Sequence, residues 1–202
     1  MEPVYDGFVS RHLNRRISRP LARALSHTPV TPNLVSISSL GIAGGAMVSF
    51  VVGLPILGGL LAQASSVADG VDGDLARLTG KTSRFGGFMD AVLDRYADAL
   101  IILGLTIWAA DGAETGVWIV GLWALVGVFT VSYTRARIEG APRTIFDRGL
   151  TSVASRDIRL FIVMIGGVAG LGLTTLIVLA SLTNAVVLAR LVSARFALAS
   201  ER

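Results

Sequence analysis

What most limits the folds open to this chain is a succession of long, predominantly apolar segments, at roughly residues 33–53, 55–76, 85–109, 116–137, 157–170 and 173–194. A stretch of about 20 apolar residues is long enough to cross a bilayer as a helix. Gly53-Leu54-Pro55 separates the first two segments, Asp111 to Thr115 the third and fourth, and Gly170-Leu171-Gly172 the last two. The fifth is short for a spanning helix and is expected to extend back toward Ser152. Only 16% of residues are charged, against about 25% in soluble proteins, and the mean hydropathy is +0.67. The expected fold is an all-α polytopic membrane protein with six transmembrane helices.

Ahead of these spans, Phe8, Leu13, Ile17, Leu21 and Leu25 recur at near-helical spacing, with Arg11, Arg15, Arg16, Arg19 and Arg23 largely between them. Five arginines exclude a cleavable signal peptide. Residues 1–27 are expected to form an amphipathic interfacial helix on the membrane surface, bent at Pro20, the alternative being a disordered basic tail. Thr28-Pro29-Val30-Thr31-Pro32-Asn33 breaks that helix, and Thr31 or Asn33 is placed to cap the next.

The basic residues are distributed unevenly. They fall in the N-terminal region, between the second and third spans (Arg77, Lys81, Arg84), between the fourth and fifth (Arg135, Arg137, Arg143, Arg148, Arg156, Arg159) and near the C-terminus (Arg190, Arg195, Arg202). Arg95 stands apart, and the connection near Asp111 and Glu114 is acidic. By the positive-inside rule both termini face the cytoplasm. A basic excess interleaved with membrane spans suits anionic lipid headgroups and phosphorylated substrates, and no nucleic-acid motif is present. There is no cysteine, which excludes disulfides, thiolate catalysis and cysteine-ligated zinc. His12 and His27 both precede the first span, which argues against a histidine-based metal site in the membrane.

Four carboxylates interrupt the second and third spans. Asp69 and Asp72 are three residues apart and Asp90 and Asp94 four apart, so each pair shares a helix face. Charges at membrane depth are costly, and clustered carboxylates repel one another. Divalent cations resolve both problems, and all-oxygen ligands suit Mg²⁺ or Mn²⁺. The site falls beside the Arg77–Arg84 connection and so faces the cytoplasm.

The spacing D-x2-D-G-x2-A-R-x8-G-x3-D-x3-D, carried by Asp69, Asp72, Gly73, Ala76, Arg77, Gly86, Asp90 and Asp94, resembles the signature of the CDP-alcohol phosphotransferases. The match is confined to residues 69–94, although the hydropathy of the remainder is similar to this family too. The resemblance implies an enzyme in which a CDP-linked donor loses CMP while its substituted phosphoryl group passes to an alcohol. It makes residues 28–202 the six-helix membrane domain. It also implies two Mg²⁺ or Mn²⁺ ions held by Asp69, Asp72 and Asp90, with Asp94 close to the metal and acting as general base. Asp69, Gly73, Ala76, Arg77 and Asn33 become nucleotide contacts, with simple capping the competing role for Asn33. Gly86 either keeps the opposing helix close to the site or serves helix packing. Asp98 is read as a partner of Arg95 or a member of the metal site, and Asp74 as solvated.

Arg135 with Arg137, and Arg156 with Arg159, form two clustered pairs that read as an anion pocket or as positive-inside anchors. A pocket would give the acceptor a phosphate of its own. Asp6-Gly7-Phe8-Val9-Ser10-Arg11 and Leu93-Asp94-Arg95-Tyr96-Ala97-Asp98 resemble the branch of the family that uses inositol phosphate as acceptor. Glycerol phosphate or serine acceptors, with a CDP-diacylglycerol donor, are the alternative. Some members carry a soluble cytidylyltransferase domain ahead of the membrane part, for which 202 residues are expected to leave no room. Glycines in the spans are read as packing positions, Gly44-Gly45 and Gly58-Gly59 being equally suited to a second subunit, since the family is commonly dimeric. A cation transporter would spread its carboxylates through the bilayer depth, and an intramembrane prenyltransferase has no place for the D-G-x2-A-R core.

Overall fold

The computed structural model describes residues 9–110, 115–138, 146 and 149–199, and every regular element among them is helical. A π-type turn at Ser10–Asn14 runs into α1 (Arg15–Leu25), followed by α2 (Pro32–Val51), α3 (Pro55–Leu78), α4 (Arg84–Ala109) and α5 (Gly116–Arg137). A 3-10 turn at Gly149–Ser152 leads to α6 (Arg156–Ala169) and α7 (Gly172–Ala199). Phe8, Asp111, Glu114, Arg143, Arg148 and Arg202 lie outside the described residues, as does Asp6-Gly7.

The boundaries follow from local chemistry. Thr31 caps α2, its Oγ1 accepting from the Leu34 amide at 3.3 Å, with Pro32 in the first turn where no amide is needed. Ser83 does the same for α4, accepting from the Gly86 amide at 2.9 Å. Gly170, at φ 71°, closes α6 in the left-handed conformation.

α2, α5 and α7 are long and apolar enough to cross a membrane. α3 and α4, of 24 and 26 residues, have the length, but the aspartates dilute their hydropathy. α6 corrects an expectation: it begins at Arg156 rather than near Ser152 and has 14 residues, about 21 Å at 1.5 Å per residue. The residues before it are spent on the 3-10 turn, so Arg156 stands at the helix start.

α2 packs on α3 and α4, α3 on α6, and α5 on α7. Phe50, Ala62, Ile101, Leu105, Val128, Val163 and Leu176 fill the shared core. Close approach of α3 and α6 depends on glycine: a Cβ on Gly59 would come within 2.9 Å of the Met164 carbonyl oxygen, and one on Gly167 within 2.5 Å of the Pro55 carbonyl oxygen. Gly58 lies against Phe50 in the same way, so the Gly58-Gly59 pair is used inside the chain, whereas a Cβ on Gly44 would meet no atom within 4 Å. Apolar side chains also cover much of the outside, among them Ile37, Val48, Trp118, Leu122, Trp123 and Leu188, as a bilayer-facing surface requires.

α1 continues through Pro20 and docks on α3 by its small face, Ser18 and Ala22 being fully buried, with Ala22 in a cluster with Val35, Val71 and Leu75. Its larger apolar residues Ile17 and Leu21, and Leu13 of the preceding turn, point outward and are exposed.

Candidate active site

The helical spacing places the acidic residues as expected, on the facing surfaces of α3 and α4. One carboxylate oxygen from each of Asp69, Asp72 and Asp90 lies within 4.8 Å of the others. Asp72 is buried and accepts a short hydrogen bond from Ser36 Oγ of α2, the helix that packs on both α3 and α4. Three anions this close repel strongly in a low-dielectric setting. Their oxygen-only donor set fits a Mg²⁺ or Mn²⁺ ion.

Asp94 is not in that trio. Its Oδ1 lies 3.1 Å from Arg156 Nη1, which is also 2.9 Å from Asp69 Oδ1, and its Oδ2 lies 3.5 Å from Arg95 Nη2. Arg156, at the start of α6, thus ties the two acidic helices together. Asp98 belongs with the arginines: Arg159 Nη2 is 2.8 Å from its Oδ2, Arg156 Nε 3.3 Å from its Oδ1 and Arg95 Nη2 3.7 Å from its Oδ2. Asp98 is 2% exposed and Arg159 3%, so this is a buried ion cluster. Asp74 is not solvated, because Arg15, Ser18 and Arg77 surround it at 2.7, 3.1 and 2.8 Å.

Two cavities meet at the carboxylates. One, of about 170 Å³, is bordered by Gly86 and by Asn33, Gly73, Ala76 and Arg77, four of the expected nucleotide contacts, while the fifth, Asp69, lines only the other cavity. The other, of about 360 Å³, is bordered by Arg135, Arg156, Arg159 and Arg190. Asp72, Gly73, Arg77 and Asp90 line both. Within the larger cavity's lining, Arg156 Nη2 and Ser155 Oγ are buried without a hydrogen-bond partner. Arg137 does not reach this cavity and is exposed at the end of α5.

Sequence reasoning missed two parts of the larger cavity. Arg190, counted only among the basic residues near the C-terminus, is 2% exposed and donates to the Thr151 carbonyl at 2.9 and 3.1 Å and to Thr134 Oγ1 at 3.1 Å. Its position inside an apolar segment was the available signal. The wall formed by the N-terminal turn had none. There Asn14 Nδ2 donates to Ser66 Oγ at 3.0 Å, Gln63 Nε2 donates to Asn14 Oδ1 at 2.7 Å, and the Ser10 amide donates to Asp157 Oδ2 at 2.6 Å.

A family model described as CDP-alcohol phosphatidyltransferase matches residues 29–199. The chain belongs to this family. A bifunctional IPC transferase and DIPP synthase of Rubrobacter xylanophilus is 42% identical over 188 residues, which are 93% of this chain and 42% of that protein, so the chain spans about two fifths of this relative's length. A phosphatidylinositol phosphate synthase of Mycolicibacterium smegmatis is 36% identical over 168 residues, 82% of this chain and 73% of the relative. The crystal structure of Mycobacterium tuberculosis phosphatidylinositol phosphate synthase with CDP-DAG bound matches with a TM-score of 0.75 at 29% identity, covering 89% of this chain and 94% of that one. That protein has also been solved in complex with manganese and citrate. With three apolar helices of spanning length, family membership makes this chain an integral membrane protein.

Proposed function

We propose that this chain transfers the substituted phosphoryl group of a CDP-linked donor to an alcohol hydroxyl, with release of CMP, and that the acceptor is an inositol phosphate. The observation that carries this reading is the junction of two cavities at one carboxylate cluster, the smaller bordered by Ala76 and Gly86 of the family motif and the larger bringing Arg135, Arg156, Arg159 and Arg190 to the motif aspartates. In the reaction the P–O bond to CMP breaks, a P–O bond from the acceptor oxygen forms, and the acceptor proton passes to Asp94. Asp94 suits that role because it stands outside the carboxylate trio.

Asp69, Asp72 and Asp90 would hold Mg²⁺ or Mn²⁺, with Asp94 close by. When bound, the ions neutralise charge on the transferred group and on the leaving CMP. Asp69, Asn33, Gly73, Ala76 and Arg77 receive the nucleotide, the small residues letting it lie against the helix. Arg135 and Arg156 hold the acceptor's phosphate, while Arg159, committed to Asp98 and the Ala154 carbonyl, supports the pocket rather than contacting the ligand. The manganese complex and the CDP-DAG complex of the mycobacterial relative support the cation and the donor class. The names of the relatives support the inositol phosphate acceptor.

The proposal extends to the setting. α2 to α7 form six spans, residues 28–202 constitute the catalytic domain, and α1 within residues 1–27 lies in the membrane interface. The outward Leu13, Ile17 and Leu21 support that placement of α1. The site and both termini face the cytoplasm, and the chain acts as a homodimer, for which Gly44 offers an open surface.

CMP release measured across CDP-inositol and CDP-diacylglycerol donors and across inositol phosphate, inositol, glycerol phosphate and serine acceptors tests the reading. Equal rates with phosphorylated and unphosphorylated inositol would remove the acceptor assignment. No CMP release from any donor would remove the reaction.

A further inference from the structure

Asp74 occupies none of the motif's fixed positions, yet its two oxygens are divided between two helices. Oδ2 accepts from Ser18 Oγ at 3.1 Å and faces Arg15 Nη1 at 2.7 Å, both on α1. Oδ1 lies 2.8 Å from Arg77 Nη2, one turn further along α3. The Asp74 side chain is 13% exposed, whereas that of Arg77 is 37% exposed.

Arg77 stands in the last turn of α3, where an unrestrained arginine samples solvent and loses much rotamer entropy on binding anything. Here its guanidinium is folded back along the helix: Nη2, Nη1 and Cζ lie 3.4, 3.5 and 3.8 Å from the point where a Cβ on Gly73 would stand. A Cβ at Gly73 would make ordinary contact with this guanidinium, so the restraint comes from Asp74. The folded-back arginine borders both cavities at the carboxylate cluster.

A partly exposed pair three residues apart on a helix normally stabilises little, because both partners are free to move. This carboxylate is not free, since its other oxygen is fixed by a second helix. Asp74 adds a negative charge near a site meant for phosphates, but two guanidinium groups face it, so the group Arg15–Asp74–Arg77 stays net positive. Arg77 engages Asp74 through Nη2, which leaves Nε and Nη1 as further donors toward an anion.

We propose that Asp74 is a positioning residue that presets Arg77 for the pyrophosphate of the CDP-linked donor, with α1 as the support against which Asp74 is held. The α1–α3 contact is thereby part of the donor site. This inference rests on the donor role given to Arg77 above.

The test is a double-mutant cycle read as CDP affinity in the presence of Mn²⁺, using the full chain in lipid nanodiscs. Arg77→Gln weakens CDP binding, Asp74→Asn weakens it by roughly three- to tenfold, and the double variant binds no more weakly than Arg77→Gln alone, because Asp74 acts only through Arg77. If the two losses multiply, Asp74 serves as an independent anchor for α1 and the proposal is overturned. If Arg77→Gln weakens binding while Asp74→Asn does not, the positioning role falls and the donor role of Arg77 stands. If Arg77→Gln leaves CDP affinity unchanged, the donor reading of Arg77 fails and this inference with it. Should Asp74→Asn not yield folded protein, Asp74→Glu, which moves the carboxylate by one methylene group, replaces it in the cycle under the same criteria.

Discussion

The two cavities that meet at Asp72 and Asp90 are built in opposite ways. The smaller is made from the start of α2, the end of α3 and the start of α4, close in sequence and rich in small residues. The larger draws on the N-terminal turn, α1, α3, α4, α5, α6 and α7, and packing brings Arg135, Arg156, Arg159 and Arg190 to the motif aspartates there. A compact local motif suits a ligand part common to all donors, the CDP moiety. A cavity assembled from many elements can change its lining one helix at a time, which suits the variable acceptor.

Substitutions can sharpen or break this division. The largest effect is expected for Asp94→Asn, which should lower turnover by about 10²- to 10⁴-fold, the range for a lost general base, while CDP binding is largely kept. Parallel rates and CDP titrations check it, and an equal loss of binding would return Asp94 to the metal ligands.

Arg159→Gln should act on the fold. Removing one partner of the buried Asp98 cluster costs about 3–5 kcal/mol where the remaining charge is left uncompensated, less here because Arg156 and Arg95 also face Asp98. Its mark is a lowered melting temperature, and a stable variant with raised acceptor KM would make Arg159 a ligand contact instead.

Arg135→Gln is the cleaner test of the acceptor side, since Arg156 also bridges Asp69 and Asp94 and its loss would disturb both cavities. Losing one charged hydrogen bond to phosphate costs about 1.5–3 kcal/mol, or roughly ten- to hundredfold in KM for inositol phosphate, with CDP affinity spared. The smallest effect belongs to Arg137→Gln, whose side chain stays outside the cavity. Its acceptor KM should move by less than about twofold, within the usual range for surface substitutions. A tenfold rise would mean that the acceptor pocket extends past the end of α5.

The smaller cavity was legible in the sequence because the motif residues Asp72, Gly73, Ala76, Arg77, Gly86 and Asp90 border it and because the cap at Thr31 is a local feature, whereas the cap at Ser83 was not read. The larger cavity was legible only as an arginine excess. That Arg156 reaches Asp69 and Asp94 depends on α6 starting at Arg156 and on its packing against α3. Asp74 looked solvated because its partners on α1 lie more than 50 residues away. Neither fact is encoded in a local pattern.

The division of labour between the cavities can be tested with both ligands at once. CDP affinity in Mn²⁺ buffer is measured by calorimetry with and without saturating inositol phosphate, on the wild-type chain. The account predicts that the two bind together, with the dissociation constant for CDP changed by less than about twofold. A loss of tenfold or more in CDP affinity, rising with inositol phosphate concentration as competition requires, would put both ligands in one cavity and contradict it.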